Sequence, residues 1–233
     1  MRLFLFDIDG TLVNAGGAGR TALARALDEV YGATGAIDRY DFRGRTDPRI
    51  VLDLLGGAGW DEADIRARLS TCFAAYLREL DALLSDGARV RLLPGVADVV
   101  RRLSARADAV VGLLTGNIEP GARVKLRSTG LWPLFRVGAF GSDDVDRRRL
   151  PAIARRRTHE LLGHDIPFER VTIIGDTPLD VDCARACGAF AVAVATGRYT
   201  AAELQGFGPD LLFADLAEVD RVVDALCVRS CAS

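Results

Sequence analysis

Short apolar runs that end in a polar residue recur along the chain, and they are typical of strands buried in a parallel sheet. Such runs predict strands at Leu3–Phe6, Val110–Leu114, Val137–Phe140, Val171–Ile174, Phe190–Ala195 and Leu211–Phe213. Amphipathic helical patterns lie between them, at Val96–Leu103, Ala122–Thr129, Pro151–Leu162, Leu179–Cys187 and Leu216–Leu226. Because strands alternate with helices, we predict an α/β fold with a doubly wound, Rossmann-like parallel sheet.

The stretch between the first two clear strands is much longer than a crossover connection needs. The first strand ends near Phe6 and the next begins near Ala109. Residues 16–90 have no strong strand pattern but show amphipathic helical periodicity at Thr21–Val30, Pro48–Leu55 and Asp61–Leu84. We therefore predict a helical cap domain at 16–90, inserted into a catalytic core formed by residues 1–15 and 91–233.

Composition and net charge exclude several classes of protein. The 233 residues are 49% hydrophobic and 27% charged, which is ordinary for a globular protein. The net charge is −2 and the basic residues are scattered among acidic ones, so we expect neither a nucleic-acid nor a membrane surface. The apolar run before Asp7 is too short for a signal-peptide core or a membrane span, which favours a cytoplasmic protein. The sequence does not indicate which oligomeric state the protein adopts.

Polar side chains suited to phosphoryl chemistry follow three of the predicted strands. In a doubly wound sheet, ligands bind outside the carboxyl ends of the strands. The candidates are Asp7 and Asp9 after the first strand, Thr115, Gly116 and Asn117 after the second, and Asp176 with Asp180 after a later one. Together they supply a nucleophile, an acid, hydroxyl and amide donors, and metal-binding carboxylates.

The first pair of aspartates can divide the chemistry between them. The Asp7 carboxylate can attack phosphorus to give an aspartyl phosphate. Asp9, when protonated, can give a proton to the departing alkoxide and then take one from the hydrolytic water. Gly10 permits the close turn after them. A plain Asp-Gly turn after a strand is the alternative interpretation of this segment taken alone.

An anionic nucleophile and an anionic phosphate repel each other, so this chemistry needs a cation. Magnesium prefers oxygen ligands, and Asp7, the Asp9 backbone carbonyl and Asp176 are candidates to hold it. Asp180 could ligate the ion directly or through water. The alternative for Asp180 is structural, because Thr177-Pro178-Leu179-Asp180 has the pattern of a helix N-cap with a capping-box acid.

The phosphate also needs donors from the protein. Thr115 can donate its hydroxyl, and Gly116 and Asn117 can contribute backbone amides. Of the 30 basic residues 29 are arginine, and the single lysine, Lys125, lies ten residues after Thr115. A helix beginning near Glu119 or Pro120 could return Lys125 to the crevice, where its charge would stabilise the transition state. The alternative for Lys125 is a place on a helix surface.

The rival to Lys125 is the basic segment Arg147–Arg149, which we interpret as mostly a solvated turn. On this interpretation, replacing Lys125 by methionine lowers activity severely and replacing Arg147 does not. The reverse ranking would move the role to the arginine segment.

The motifs resemble those of the haloacid dehalogenase superfamily. Asp7-Ile8-Asp9-Gly10-Thr11-Leu12, Thr115-Gly116-Asn117 and Gly175-Asp176-Thr177-Pro178-Leu179-Asp180 are similar to three of its four motifs, in order. The insertion is similar to the helical cap of the phosphoglycolate phosphatase-like branch. The resemblance implies that Asp7 is the nucleophile, Asp9 the acid/base, Thr115 a phosphate binder, and Asp176 and Asp180 magnesium carboxylates.

The third motif departs from the family pattern. Many members of this branch have a Lys-Pro pair at the start of the helix that precedes the last motif, whereas residues 146–151 here read Asp-Arg-Arg-Arg-Leu-Pro. We therefore assign the lysine role to Lys125 and keep Arg147 as the alternative. In the cap, residues 42–47 resemble the substrate-facing loop, where Arg45 could meet a substrate carboxylate or phosphate and Thr46 could cap the next helix.

The sequence thus predicts a Mg2+-dependent enzyme that hydrolyses a small phosphomonoester. Asp9 favours phosphoryl chemistry over dehalogenation, since the dehalogenases that name the family resemble this chain less well at that carboxylate. Two alternatives remain open. One is a phosphoryl transferase of the sugar-phosphate mutase type, and the other is a catalytically silent phosphate-binding protein.

Overall fold

A six-stranded parallel sheet forms the centre of the protein in the computed structural model, which describes residues 1–228. Its strands are β1 (Arg2–Phe6), β4 (Ala109–Thr115), β5 (Val137–Phe140), β6 (Val171–Gly175), β7 (Phe190–Val194) and β8 (Leu211–Phe213). They lie in the order β5-β4-β1-β6-β7-β8. All six predicted strands are present, and the predicted α/β fold is confirmed.

Helices cover both faces of the sheet because its central strands are apolar on both sides. Successive side chains of a strand point to opposite faces. On β1, Phe4 and Phe6 belong to one buried hydrophobic cluster, whereas Leu3 and Leu5 belong to another. A sheet buried in this way needs the continuous apolar runs that the sequence shows.

The helices of the chain follow the predicted pattern with small shifts at their ends. They are α1 (Ala18–Tyr31), α2 (Asp47–Gly56), α3 (Glu62–Leu84), α4 (Val96–Ser104), α5 (Glu119–Leu126), α6 (Leu150–Leu162), α7 (Pro178–Cys187), α8 (Ala201–Gln205) and α9 (Val219–Cys227). Short 3-10 turns lie at Arg127–Thr129, Trp132–Leu134, Arg147–Arg149 and Phe168–Arg170. Helix α9 begins three residues later than predicted.

Two local features were missing from the sequence prediction. Helix α8 is short, but Thr200 and Glu203 form a capping box at its start, which is a signal that the sequence offered. The strands β2 (Val13–Asn14) and β3 (Arg91–Leu92) pair antiparallel and flank the inserted segment. Two-residue strands carry too few positions for a periodic pattern.

Helices α1, α2 and α3 lie within the segment predicted to form the cap. They share a hydrophobic cluster of their own, which includes Leu27, Leu54 and Tyr76, and Ile118 from the core joins it. The division into a core and a cap domain stays a prediction, which this separate cluster supports. The last five residues of the predicted core, 229–233, lie outside the described residues.

Candidate active site

The register of the sheet brings the predicted site residues to one edge. Strand β1 lies between β4 and β6, and Phe6 is opposite both Leu113 and Ile174. The residues that follow these strands therefore emerge side by side. The Asp7 backbone N–H continues the ladder by donating to the carbonyl of Ile174 at 2.9 Å.

Three buried carboxylates form a cluster at this edge. Oxygens of Asp7, Asp176 and Asp180 all lie within 4.8 Å of one another. Asp180 arrives there through the start of α7, where its Oδ2 accepts hydrogen bonds from the Thr177 backbone N–H at 3.0 Å and hydroxyl at 2.7 Å. The predicted capping box is therefore present, and the same carboxylate offers Oδ1 to the cluster.

Gly10 is required beside this cluster for two physical reasons. Its φ of 84° lies in the left-handed region, which side chains of L-residues rarely adopt. In addition, a Cβ atom at this position would collide with the carboxylate of Asp176. The turn after Asp7 can therefore pass close to Asp176 only if it contains glycine.

Arg147 lies inside the carboxylate cluster, so the interpretation of Arg147–Arg149 as a solvated turn was wrong for its first member. Its side chain is 8% exposed, and Nη2 lies 3.3 Å from Asp7 Oδ1 and 2.5 Å from Asp180 Oδ1. Arg148 and Arg149 are exposed, as predicted for such a turn. The turn after Asp146 directs only Arg147 inward.

The charges in this cluster are unbalanced, because three carboxylates face one guanidinium. The pKa of Asp7 is raised to about 6, mainly by burial and also by the neighbouring Asp180 and Asp9, against the opposing effect of Arg147. Burial, Asp180 and Asp7 likewise raise the pKa of Asp176 well above its usual range. A set of clustered carboxylate oxygens with excess negative charge suits a divalent cation, so the residues present fit a metal site.

Asp9 has different partners from the carboxylates of this cluster. Lys125 Nζ donates to Asp9 Oδ2 at 2.6 Å and to Asn117 Oδ1 at 2.6 Å, while Asn117 Nδ2 donates to Asp9 Oδ2 at 2.8 Å. Lys125 is buried on α5, which begins at Glu119 and returns the side chain to the crevice. The two basic side chains thus contact different aspartates.

Thr115, Gly116 and Asn117 lie at the end of β4, where they line the same cavity. Asn117 differs from its predicted role, because its backbone N–H donates to the Thr115 hydroxyl at 3.3 Å and its side-chain amide orients Asp9. Gly116 lies against the Arg45 carbonyl, and a Cβ atom there would collide with it.

A cavity of about 380 Å3 joins these groups to the inserted helices. Arg45 lines it and is half-exposed, with Asp53 at 3.5 Å. Thr46 does not line it, since its buried hydroxyl accepts from the Arg49 N–H and donates to the Val145 carbonyl at 2.8 Å. The capping role predicted for Thr46 is confirmed, and its place in the substrate-binding set stays a prediction.

Asp47 and Tyr76 are among the cavity residues from the inserted segment for which the sequence indicated no individual role. Asp47 follows Thr46; its N–H donates to the Gly116 carbonyl at 2.7 Å and its Oδ2 accepts from the Ile118 N–H at 2.9 Å. Tyr76 lies in α3, where its position in an apolar helical pattern indicated only a core residue. Asp47 is adjacent in sequence to Thr46, a predicted site residue. Nothing in the sequence around Tyr76 indicated a functional role.

A sequence profile of haloacid dehalogenase-like hydrolases matches residues 4–185, from β1 to α7. The chain belongs to this family. A curated member of similar length, the phosphoglycolate phosphatase of Synechococcus elongatus, is 28% identical over 97% of this chain and 99% of its own. Membership in the haloacid dehalogenase-like hydrolases, together with curated phosphatase relatives, makes the chain an enzyme, a phosphatase.

Several solved structures have the same fold as this chain. A hydrolase from Pseudomonas syringae superimposes with a TM-score of 0.73 at 19% identity, with complete coverage of both chains. CbbY from Rhodobacter sphaeroides, solved in complex with phosphate, gives a TM-score of 0.69 at 22% identity over 94% of this chain and 96% of its own. At these identities the likeness establishes the fold alone. Within residues 1–228, the helices are too short or too polar to cross a membrane.

Proposed function

We propose that the protein hydrolyses a small phosphomonoester through an aspartyl phosphate on Asp7, with Mg2+ as cofactor. The observation that carries this proposal is the separation of the two aspartates. Asp7 lies in the buried carboxylate cluster beside Arg147, whereas Asp9 is held by Lys125 and Asn117. These different surroundings support attack by Asp7 and proton transfer by Asp9.

In the first step, a carboxylate oxygen of Asp7 bonds to phosphorus and the ester P–O bond breaks. The departing oxygen takes a proton from Asp9 and leaves as an alcohol. In the second step, a water attacks phosphorus, its proton passes to Asp9, and the bond from phosphorus to Asp7 breaks to release phosphate. Donors from Thr115 and Gly116 orient the phosphoryl group, and Arg147 stabilises the charge that develops beside Asp7.

Asp7, Asp176 and Asp180 would hold the magnesium ion, with the Asp9 carbonyl as a further ligand. When bound, the ion would screen the repulsion between the nucleophile and the phosphate. The thermal stability of the protein tests this assignment. Mg2+ should raise the melting temperature of the wild type but not of Asp176→Asn, because an ion that binds only the folded state stabilises it. An equal shift for both proteins would contradict the assignment.

The relatives and the cavity support a proposal about the substrate class. The relative from Synechococcus elongatus is a phosphoglycolate phosphatase, and Arg45 lines the cavity where it could meet a substrate carboxylate or phosphate. We therefore propose a phosphoglycolate phosphatase-like activity on a small phosphorylated metabolite. We propose a cytoplasmic location for it.

The test is release of inorganic phosphate from phenyl phosphate and from phosphoglycolate, with and without Mg2+. Asp7→Asn should lower turnover by at least about 10³-fold, since the nucleophile is lost. Asp28→Asn is the control, because Asp28 is exposed on α1. Full activity of Asp7→Asn would contradict the proposal. A requirement for a sugar bisphosphate would favour a mutase, and no turnover of any ester would favour a silent phosphate-binding protein.

A further inference from the structure

Tyr76 is a buried cap residue whose hydroxyl the proposed chemistry does not use. Its side chain lies in α3, is 2% exposed and lines the active-site cavity. Within residues 1–228 this hydroxyl forms no hydrogen bond with another residue, and its side chain lines the cavity. A polar group that faces a cavity and is not occupied by the protein is available to a ligand.

The surroundings of the hydroxyl define a small polar corner of the cavity. A Cβ atom at Gly19 would lie 3.7 Å from Tyr76 Oη and 3.3 Å from Lys125 Nζ, so both atoms border the space that this glycine leaves open. Lys125 has three N–H donors, of which Asp9 and Asn117 occupy two. The corner thus presents donors to whatever enters it.

The hydroxyl acts as a donor throughout the physiological pH range. Burial, with the nearby carboxylates of Asp47 and Asp9, raises the pKa of Tyr76 well above its usual value. The walls beside the corner are apolar, since Leu23 and Ile50 are buried and line the cavity. A few polar groups on an apolar wall are the pattern by which ligand sites select their ligands.

We infer that Tyr76 is a specificity-determining residue that donates a hydrogen bond to an oxygen acceptor on the leaving group of the substrate. The corner lies beside Asp9, which is the group that the proposed function assigns to protonate the leaving oxygen. The substrate would then be a compact phosphomonoester that carries a carboxylate or a hydroxyl close to the ester oxygen. This inference rests on the proposed function, because it assumes that the cavity holds such an ester.

The chain offers a matched control in Tyr31, another buried tyrosine of the same helical cluster. Its hydroxyl donates to the Ile65 carbonyl at 2.8 Å, and Tyr31 is not among the cavity residues. Tyr31→Phe should therefore lower the melting temperature without changing the relative rates on different esters. Tyr76→Phe should leave the melting temperature nearly unchanged, because the hydroxyl that it removes forms no hydrogen bond with another residue among 1–228.

The experiment measures kcat/KM for phosphoglycolate, glycerol phosphate and phenyl phosphate with the wild type, Tyr76→Phe and Tyr31→Phe. We expect Tyr76→Phe to lower the ratio of the preferred polar ester to phenyl phosphate, by about tenfold for a carboxylate and about threefold for a hydroxyl. The ester that loses more identifies the acceptor. Gly19→Ala, which fills the corner but keeps the hydroxyl, should lower the same ratio.

Two results would overturn the inference. One is an equal effect of Tyr76→Phe on all three esters, and the other is a fall in melting temperature as large as that of Tyr31→Phe. Failure of the wild type to hydrolyse any of the three esters would instead contradict the proposed function itself, so the two failures are distinguishable.

Discussion

The nucleophile region and the acid region of the site differ in what surrounds their charges. In the nucleophile region, Asp7, Asp176 and Asp180 share one guanidinium, that of Arg147. In the acid region, Asp9 accepts hydrogen bonds from Lys125 and Asn117. The first region is short of positive charge and suits a metal ion, whereas the second is paired without one.

The two regions also differ in how they meet the inserted helices. In the nucleophile region, Asp7 and Asp176 lie at the ends of β1 and β6. Asp180 lies in the first turn of α7, and Arg147 lies in the 3-10 turn before α6. The acid region is bordered by Gly19, Asp47 and Tyr76, all from the predicted cap. The predicted cap thus borders the group that is proposed to transfer the proton to the leaving group. This division leads to three predictions, each of which perturbs one region.

The largest effect is expected for Arg147→Met, in the nucleophile region. Removing the guanidinium leaves three buried carboxylates without a cation from the protein, so turnover should fall by about 10²- to 10³-fold. The free energy of unfolding in the absence of metal should fall by about 3 kcal/mol. Phosphate release and urea unfolding measure these changes.

Arg148→Met is the control for this variant, because Arg148 is exposed and pairs with Asp182 on the surface. The structure thus predicts a larger loss of turnover for Arg147→Met than for Lys125→Met, whereas the sequence predicted the reverse. If Arg147→Met behaves like Arg148→Met, the guanidinium has no part in the chemistry of Asp7.

A smaller effect that depends on the leaving group is expected for Lys125→Met, in the acid region. Without its lysine, Asp9 loses the partner that orients it, so esters with poor leaving groups should suffer by about 10- to 100-fold. An ester with a good leaving group, such as para-nitrophenyl phosphate, needs less proton transfer and should suffer less. Steady-state kinetics with both kinds of ester measure the difference.

Arg123→Met serves as the control, since Arg123 is exposed on the same helix and pairs with Glu119. If Lys125→Met lowers turnover equally for esters with good and poor leaving groups, Lys125 acts on the phosphate and not through Asp9. That result would agree with the role predicted from the sequence.

The smallest effect is expected for Asp47→Asn, at the contact between the cap and the acid region. Burial raises the pKa of Asp47 to about 6, opposed by Lys125 and by the hydrogen bond from Ile118. The folded protein thus holds this proton more tightly than the unfolded chain, whose pKa is about 3.9. The resulting stabilisation is complete below pH 4 and is lost as the pH rises through 6.

Asparagine at position 47 does not ionise, so the variant keeps this stabilisation as the pH rises. Its side-chain oxygen can still accept the hydrogen bond from the Ile118 N–H. At pH 7 it should be more stable than the wild type by about 1–2 kcal/mol, with little difference at pH 4. Urea unfolding at the two pH values provides the measurement. A variant that is less stable than the wild type at pH 7 would show that the charged carboxylate stabilises the cap contact.

The sheet and most helices could be predicted because their patterns are local. The apolar runs of β1, β4 and β6 and the helical periodicity of α3 are visible in a few consecutive residues. The position of Asp7, Thr115 and Asp176 followed from a general rule, since parallel strands end at the same edge.

The surroundings of Arg147 could not be predicted, because they depend on packing between distant segments. Arg147 lies in a run of three arginines, and only the 3-10 turn after Asp146 decides which one points inward. Tyr76 likewise had the signature of a core residue, and only the approach of α3 to α5 places its hydroxyl in the cavity. Residues that act through tertiary contacts leave little trace in local periodicity.

The most direct test of the account is to trap the covalent intermediate. The enzyme would be mixed with phosphoglycolate and Mg2+, quenched in acid during turnover and reduced with borohydride, which converts an aspartyl phosphate to homoserine. Peptide mass spectrometry should then find homoserine at position 7 and not at position 9, and no such product without substrate. Modification at position 9, or none at either position while phosphate is being released, would contradict the assignment of Asp7 as nucleophile.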